Sequence, residues 1–206
     1  MDDIDASATY EVELKLRADH ERVRERLGPL DAERIGTVEQ VDTYYEAPHR
    51  SFADTDEALR IREERIDDDI HEERIDDDIH EERTADDATY RLTYKGPKVD
   101  AASKTREEHE TDVVDPDAMD ATLRALGFAP AATVRKTRER YHLDGYTITL
   151  DSVEGLGEFV EVEREAAGSD VESVRDGAHE LLDRLGLDPD EQLRTSYLGL
   201  LLDDDE

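Results

Sequence analysis

Cysteine is absent from the 206 residues, which excludes disulfides, thiolate metal sites and a cysteine nucleophile. Lysine is scarce: only Lys15, Lys95, Lys98, Lys104 and Lys136, against twenty-one arginines. No apolar run approaches the roughly 20 residues that a membrane span requires. The opening MDDIDASATY lacks a basic stretch followed by an apolar one, so no secretory signal is expected. These absences lead to the expectation of a cytoplasmic protein without a membrane partner. No P-loop, glycine-rich dinucleotide fingerprint or kinase signature occurs either. A bound phosphate would therefore be held by side chains rather than by a helix N-terminus.

What the chain does have is acid. There are 58 acidic residues against 26 basic ones, a formal net charge of −32, and only 36% hydrophobic residues. Such a balance fits disorder in some chains, but the strong periodicities below argue for a folded one. The acid is spread along the whole length, which is the composition of a surface adapted to concentrated salt, where screening weakens self-repulsion. Nucleic acid is not an expected partner, because the negative field repels phosphate backbones. The few lysines avoid the predicted helices and all lie in or beside segments that alternate with period two.

Period two means a strand with two distinct faces. Residues 8–17 read as a strand with Glu11, Glu13, Lys15 and Arg17 on one side. Further strands are read at 38–46, at Ala58–Arg62, at 88–96, at 103–114, at 132–143, at 146–151 and at Glu158–Glu165. The turns are marked by Gly96-Pro97, Asp144-Gly145 and Glu154–Gly157. Amphipathic helices are predicted over about 19–28, capped by Asp19, and over 116–126, opened by Pro116 with Met119, Leu123 and Leu126 inward. Another is predicted over 170–186, capped by Ser169, and a final one over 190–202. Residues 63–83 carry EERIDDDIH twice in tandem and a third EER. Nine residues twice is too short for a solenoid, so this acidic repeat is read as a mobile loop insertion. Its Asp triplets lack the alternation and central glycine of an EF-hand.

Eight strands with short connections imply an antiparallel sheet, and eight suffice to close a barrel. The polar faces together offer five carboxylates (Glu11, Glu13, Asp151, Glu161, Glu163) and nine cations (Lys15, Arg60, Arg62, Arg91, Lys95, Lys104, Arg106, Lys136, Arg138). If these faces point inward, helices must cover Val12, Leu14, Ile61, Leu92, Tyr94, Val160 and Val162 from outside. Inward charge is costly unless water, metal or ligand compensates it. Carboxylates without His or Cys suit hard ions such as Mg²⁺ or Mn²⁺. Rows of Arg and Lys suit phosphate oxygens. Both on one lining point to a metal–triphosphate complex. His20, His49, His109, His142 and His179 share no spacing and are expected at the surface or a rim.

The E-x-E-x-K stretch Glu11-Val12-Glu13-Leu14-Lys15 is the hallmark of the CYTH superfamily, which this chain resembles. It is similar in particular to the class IV adenylate cyclase branch, through VDTYYEAP, TDEALRIR, LTYKGPK, SKTREE, Lys136 with Arg138, LDSVEGLGEFVEVE and SYLGLL, in that order. The resemblance spans residues 10–202 apart from the repeat, so the 206 residues read as one domain. It implies an α+β fold: a closed antiparallel eight-stranded β-barrel, the triphosphate tunnel, with helices outside. It implies that Glu11, Glu13, Asp151, Glu161 and Glu163 hold one or two Mg²⁺ or Mn²⁺. Lys15, Arg60, Arg62, Lys95, Arg106, Lys136 and Arg138 would grip the triphosphate, with Glu11, Glu13 and Lys15 as the catalytic core. The implied reaction converts ATP to cyclic AMP and pyrophosphate. Hydrolysis of tripolyphosphate or thiamine triphosphate, or mere polyphosphate binding, stays open, as does a homodimer.

The dispersed acid carries a prediction of its own. The thermal midpoint should rise steeply from millimolar to molar KCl, measured by circular dichroism. A midpoint independent of salt would remove the halophilic reading.

Overall fold

The computed structural model describes residues 9–66, 88–97 and 105–204. Among these residues eight strands and five α-helices run in the order β1 (Thr9–Arg17), α1 (His20–Leu27), β2 (Glu33–Glu46), α2 (Phe52–Thr55), β3 (Ala58–Ile66), β4 (Thr89–Lys95) and β5 (Glu108–Asp112). Then come α3 (Pro116–Ala125), β6 (Ala129–Leu143), β7 (Tyr146–Val153), β8 (Gly157–Ala167), α4 (Val171–Arg184) and α5 (Tyr197–Asp204). The strands make one antiparallel sheet ordered β1-β8-β7-β6-β2-β3-β4-β5. Asp144 and Gly145 both take positive φ, 53° and 80°, which is the turn that joins β6 to β7 with matching twist. Among the described residues no helix is long and apolar enough to cross a membrane.

The sheet curls into a half-barrel. Its two edges meet at Glu11 of β1 and Arg106, just before β5, whose backbones exchange hydrogen bonds of 3.1 and 3.4 Å. Among the described residues this is an isolated bridge rather than the continuous ladder of a fully closed barrel. β5, the strand at that edge, has only five residues.

Alternation sorts the sheet into two faces. On the convex side Val12, Leu14 and Leu16 join Ile148, Leu150, Val160 and Val162 beneath α1 and α4. These helices supply Val23, Leu27, Val174, Ala178, Leu181 and Leu182. A second cluster puts Leu59, Ile61 and Tyr45, with Leu92 and Tyr94, against Phe52 of α2 and Met119 and Leu123 of α3. The helices thus sheath the apolar face from outside, as the inward-charge reading requires, and the polar face is left to the interior. A third cluster, Tyr44, Val134, Val153, Leu156, Phe159 and Tyr197, fills one end of the half-barrel.

Several local expectations need correction. Leu126 is not on the buried stripe of α3; it is 65% exposed, because the helix ends at Ala125 and the chain turns away at Gly127. Ser169 does not cap α4, since a 3-10 turn over Gly168–Asp170 comes first. The final helix starts at Tyr197 instead of 190, because the backbone N–H of Leu193 donates to the Lys15 carbonyl at 2.6 Å and holds the preceding residues against β1. Glu63–Ile66 are strand, not loop: they extend β3 along the long β2, with Gln40 opposite Glu64. The rest of the repeat, 67–83, lies outside the described residues, as do Lys98 and Lys104.

Leu182 is fully buried between α4 and the convex sheet. Leu182→Ala should cost about 2–5 kcal/mol of unfolding free energy, read from denaturant titration. A loss under about 1 kcal/mol would show that α4 contributes little to holding the sheet.

Candidate active site

The concave face encloses a cavity of about 870 Å³. Strand parity decides its lining. β1 presents Glu11 and Glu13, and β8 presents Glu161 and Glu163. Glu13 lies directly opposite Glu163 in the β1–β8 register. β3 contributes Arg60 and Arg62, β4 Lys95, and β6 Lys136 and Arg138, with Arg106 from the bridge segment. Ten of the twelve predicted site residues, all but Lys15 and Asp151, therefore face one space.

Lys15 and Asp151 share the inward parity but are fully buried. Both are covered by Tyr197. The Lys15 ammonium sits 4.1 Å over the Tyr197 ring and also donates to the Thr195 carbonyl. The Tyr197 hydroxyl donates to Asp151 Oδ2 at 3.0 Å. Asp151 is gripped besides by Arg138, with Nε to Oδ1 at 2.6 Å and Nη2 to Oδ2 at 2.5 Å, and by Lys136 Nζ at 3.1 Å. Its oxygens are engaged by two cations and a phenol, so its chemistry here is that of a buried counter-ion.

The remaining wall is a mesh of opposite charges. Arg138 also bonds Glu161. Lys95 reaches Glu11 at 2.8 Å and Glu108 at 2.7 Å. Arg62 takes Asp42 in a forked pair at 2.6 and 2.8 Å, and Arg60 approaches the same carboxylate at 3.4 Å. Arg106 bonds both the carbonyl and the carboxylate of Asp56. Burial opposes the charge on Asp42, yet Arg60 and Arg62 hold its carboxyl well below the usual range. Burial likewise opposes the charge on Lys95, but Glu11 and Glu108 keep its ammonium protonated beyond the usual lysine range. Lys136 is pulled down to about 8 by burial and by Arg138. Burial raises the Glu11 carboxyl, against the pull of Lys95.

Sequence reasoning missed Asp42, Gln40, Glu64, Arg140 and Tyr197. The signal for the first two was present: Gln40, Asp42 and Tyr44 alternate in β2, and Gln40 and Asp42 are buried although polar. Arg140 follows Lys136 and Arg138 at the same parity and pairs with Glu64 at 2.5 Å. Tyr197 stands in the SYLGLL stretch that carries the resemblance, but its place at the cavity follows only from the path of the chain after Leu193.

The carboxylate set fits a hard divalent ion in its chemistry: all oxygen, on neighbouring antiparallel strands, with no His or Cys required. Among the described residues no three such side chains stand close enough together to ligate one ion as they lie. Glu11 and Glu161 are engaged with Lys95 and Arg138 and would have to exchange those cations for the metal. Asp151, sealed behind Tyr197, does not fit that exchange without movement of α5.

The comparisons place this geometry in a family. The CYTH domain family model matches residues 9–197. The chain belongs to the CYTH domain family. A curated protein of Methanocaldococcus jannaschii named "Putative adenylate cyclase MJ0240" is 35% identical over 192 residues, covering 92% of this chain and 97% of its own length. The structure of the PH1819 protein from Pyrococcus horikoshii superposes with a TM-score of 0.79 at 37% identity, over 94% of this chain and 99% of that one. A protein from Hippeastrum, described as a putative adenylyl cyclase with a dominant triphosphatase activity, shares the fold alone: 18% identity, TM-score 0.62, over 95% of this chain and 96% of that one.

Glu163 supplies a pH prediction. Burial, with Glu11, Glu161 and Glu13 adding to it and Arg138 opposing, pushes its carboxyl up to about 7 from 4.5. Across that window the folded protein keeps a proton that the unfolded chain has released, so stability falls as pH rises from 4.5 to about 7 and the penalty is complete above. Glu163→Gln should therefore raise the thermal midpoint in chelator at about pH 8 and leave it unchanged at about pH 4. Superimposable pH–stability curves for the two proteins would refute the assignment.

Proposed function

We propose that the chain is a divalent-metal-dependent enzyme that acts on a triphosphate held inside the curled sheet, and that it is a class IV adenylate cyclase converting ATP to cyclic AMP and pyrophosphate. One observation carries the reading. A single enclosed cavity has carboxylates on its β1–β8 wall and cations on its β3, β4 and β6 walls. In this reading the Glu11–Arg106 bridge is the seam of a closed triphosphate tunnel. The cytoplasm is its setting, consistent with the acidic surface.

The residues divide the work by charge. Arg60, Arg62, Lys95, Arg106, Lys136 and Arg138 give up internal carboxylate partners for phosphate oxygens, which preserves their neutralisation while the substrate loses water. Lys15 is positioned behind Tyr197 to complete the row when that side chain moves. Glu11, Glu13, Glu161 and Glu163 would hold Mg²⁺ or Mn²⁺, with Asp151 orienting Lys136 and Arg138. A bound ion supplies charge neutralisation at the phosphates and a lowered hydroxyl pKa. The ribose 3′-oxygen then attacks the α-phosphorus, its proton passes to a lining carboxylate, and the bond from the α-phosphorus to the bridging oxygen breaks. The lining orients the chain of phosphates for in-line displacement.

A second reading is hydrolysis, with water attacking the terminal phosphorus. The Hippeastrum protein has this fold with a dominant triphosphatase activity, so the fold alone does not choose the reaction. Incubation with ATP and Mn²⁺, and separately with tripolyphosphate, decides: cyclic AMP plus pyrophosphate supports cyclisation, orthophosphate supports hydrolysis, and no turnover leaves a binding protein. Glu11→Gln and Glu161→Gln should each cut metal-dependent turnover by at least about 100-fold with folding retained. Full activity in both variants would show the site to be misplaced.

A further inference from the structure

Most of the cavity wall is charged or polar, and two large aliphatic side chains interrupt it: Leu198, packed with the Tyr197 cluster, and Ile35. Ile35 lines the cavity with 43% of its surface exposed and joins none of the three buried clusters. The backbone sets this position. The β2–β6 register steps from Arg34–Tyr141 to Gly36–Arg140, which leaves Ile35 as the extra residue of a bulge. Bulges re-aim a side chain and recur beside binding sites. Without the extra residue, parity would set Ile35 opposite a regular cross-strand partner.

Beside it the inward row of β6 changes character. Lys136, Arg138 and Arg140 are followed at the same parity by His142, which is exposed, lines the cavity and pairs in register with Glu33 of β2. Lys136 lies near the end filled by Tyr197, 5.0 Å from that ring. Six residue steps along the strand separate Lys136 from His142, about 20 Å. The row therefore runs from a cationic end covered by Tyr197 to an end where Ile35 and His142 line the cavity, long enough for an extended polyphosphate that carries an organic group.

We propose that Ile35 and His142 form the seat for the heteroaromatic ring of a nucleoside triphosphate, whose phosphates run along the β6 row toward Tyr197. This rests on the nucleoside triphosphate reading and deepens it by assigning the residues that hold the ring and so favour ATP over inorganic tripolyphosphate. The ring lies against the isoleucine, removing apolar surface of both from water. The imidazole edge donates to or accepts from the ring's polar rim. Neither residue touches the reacting phosphorus; both set specificity.

The test is calorimetric binding, with Mn²⁺ in concentrated salt, of α,β-methylene ATP and of tripolyphosphate. The proteins compared are wild type, Ile35→Asn and His142→Ala. Both variants should weaken the ATP analogue by about tenfold. Tripolyphosphate should stay within about twofold, which also certifies that the variants fold. Equal losses for both ligands, or no loss for either, overturn the seat. A wild-type protein that binds tripolyphosphate but not the analogue overturns the seat and leaves the triphosphate reading standing. One that binds neither overturns both.

Discussion

Asp151 sits fully buried and is held by Arg138, Lys136 and Tyr197, and the interior of this protein depends on that kind of compensation. An isolated carboxylate there would cost several kcal/mol to desolvate. Paired, it anchors the inner ends of two cations and the only aromatic side chain that covers Lys15 among the described contacts. Lys95 with Glu11 and Glu108, and Arg62 with Asp42, repeat the solution on other walls. Each pair keeps a cation neutralised and preorganised. A triphosphate entering the cavity then exchanges one set of anionic oxygens for another, instead of stripping water from bare charges.

Such an interior inverts the usual logic of a two-faced sheet. Ordinarily the apolar face is buried and the polar face is wetted. Here the polar face is enclosed by curvature, so the apolar face must be buried by something else. α1 and α4 cover one flank, and α2 and α3 the other. Lys15 carries both requirements in one strand, since its neighbours Leu14 and Leu16 face the helices while its own ammonium faces the cavity side. Concentrated acid on the remaining surface is tolerable where salt screens it, and the interior pairs, being buried, are screened far less.

The strands and their polar rows were legible because period two survives in sequence wherever both faces are under constraint. Glu11, Glu13, Glu161 and Glu163 alternate with valine and leucine, and Arg60 with Arg62 and Lys136 with Arg138 follow suit. Asp42 was harder to see, because tyrosines and a threonine beside it blur the contrast. Glu63–Ile66 looked like loop because the tandem repeat begins there, yet pairing with β2 extends the strand. The end of the chain was misread as one helix from 190, because local pattern carries no trace of the bond from Leu193 to β1.

The amino-acid sequence by itself determined the alternation, the signs of charge on each face and the apolar stripes that need covering, since these are properties of neighbours along the chain. Only the tertiary structure decided which charges share a wall, that Tyr197 covers Lys15 and Asp151, and that a bulge turns Ile35 into the cavity. Those outcomes depend on register, curvature and the return of a distant segment. Pairing energies between residues far apart in the chain select them, and local periodicity cannot encode that choice.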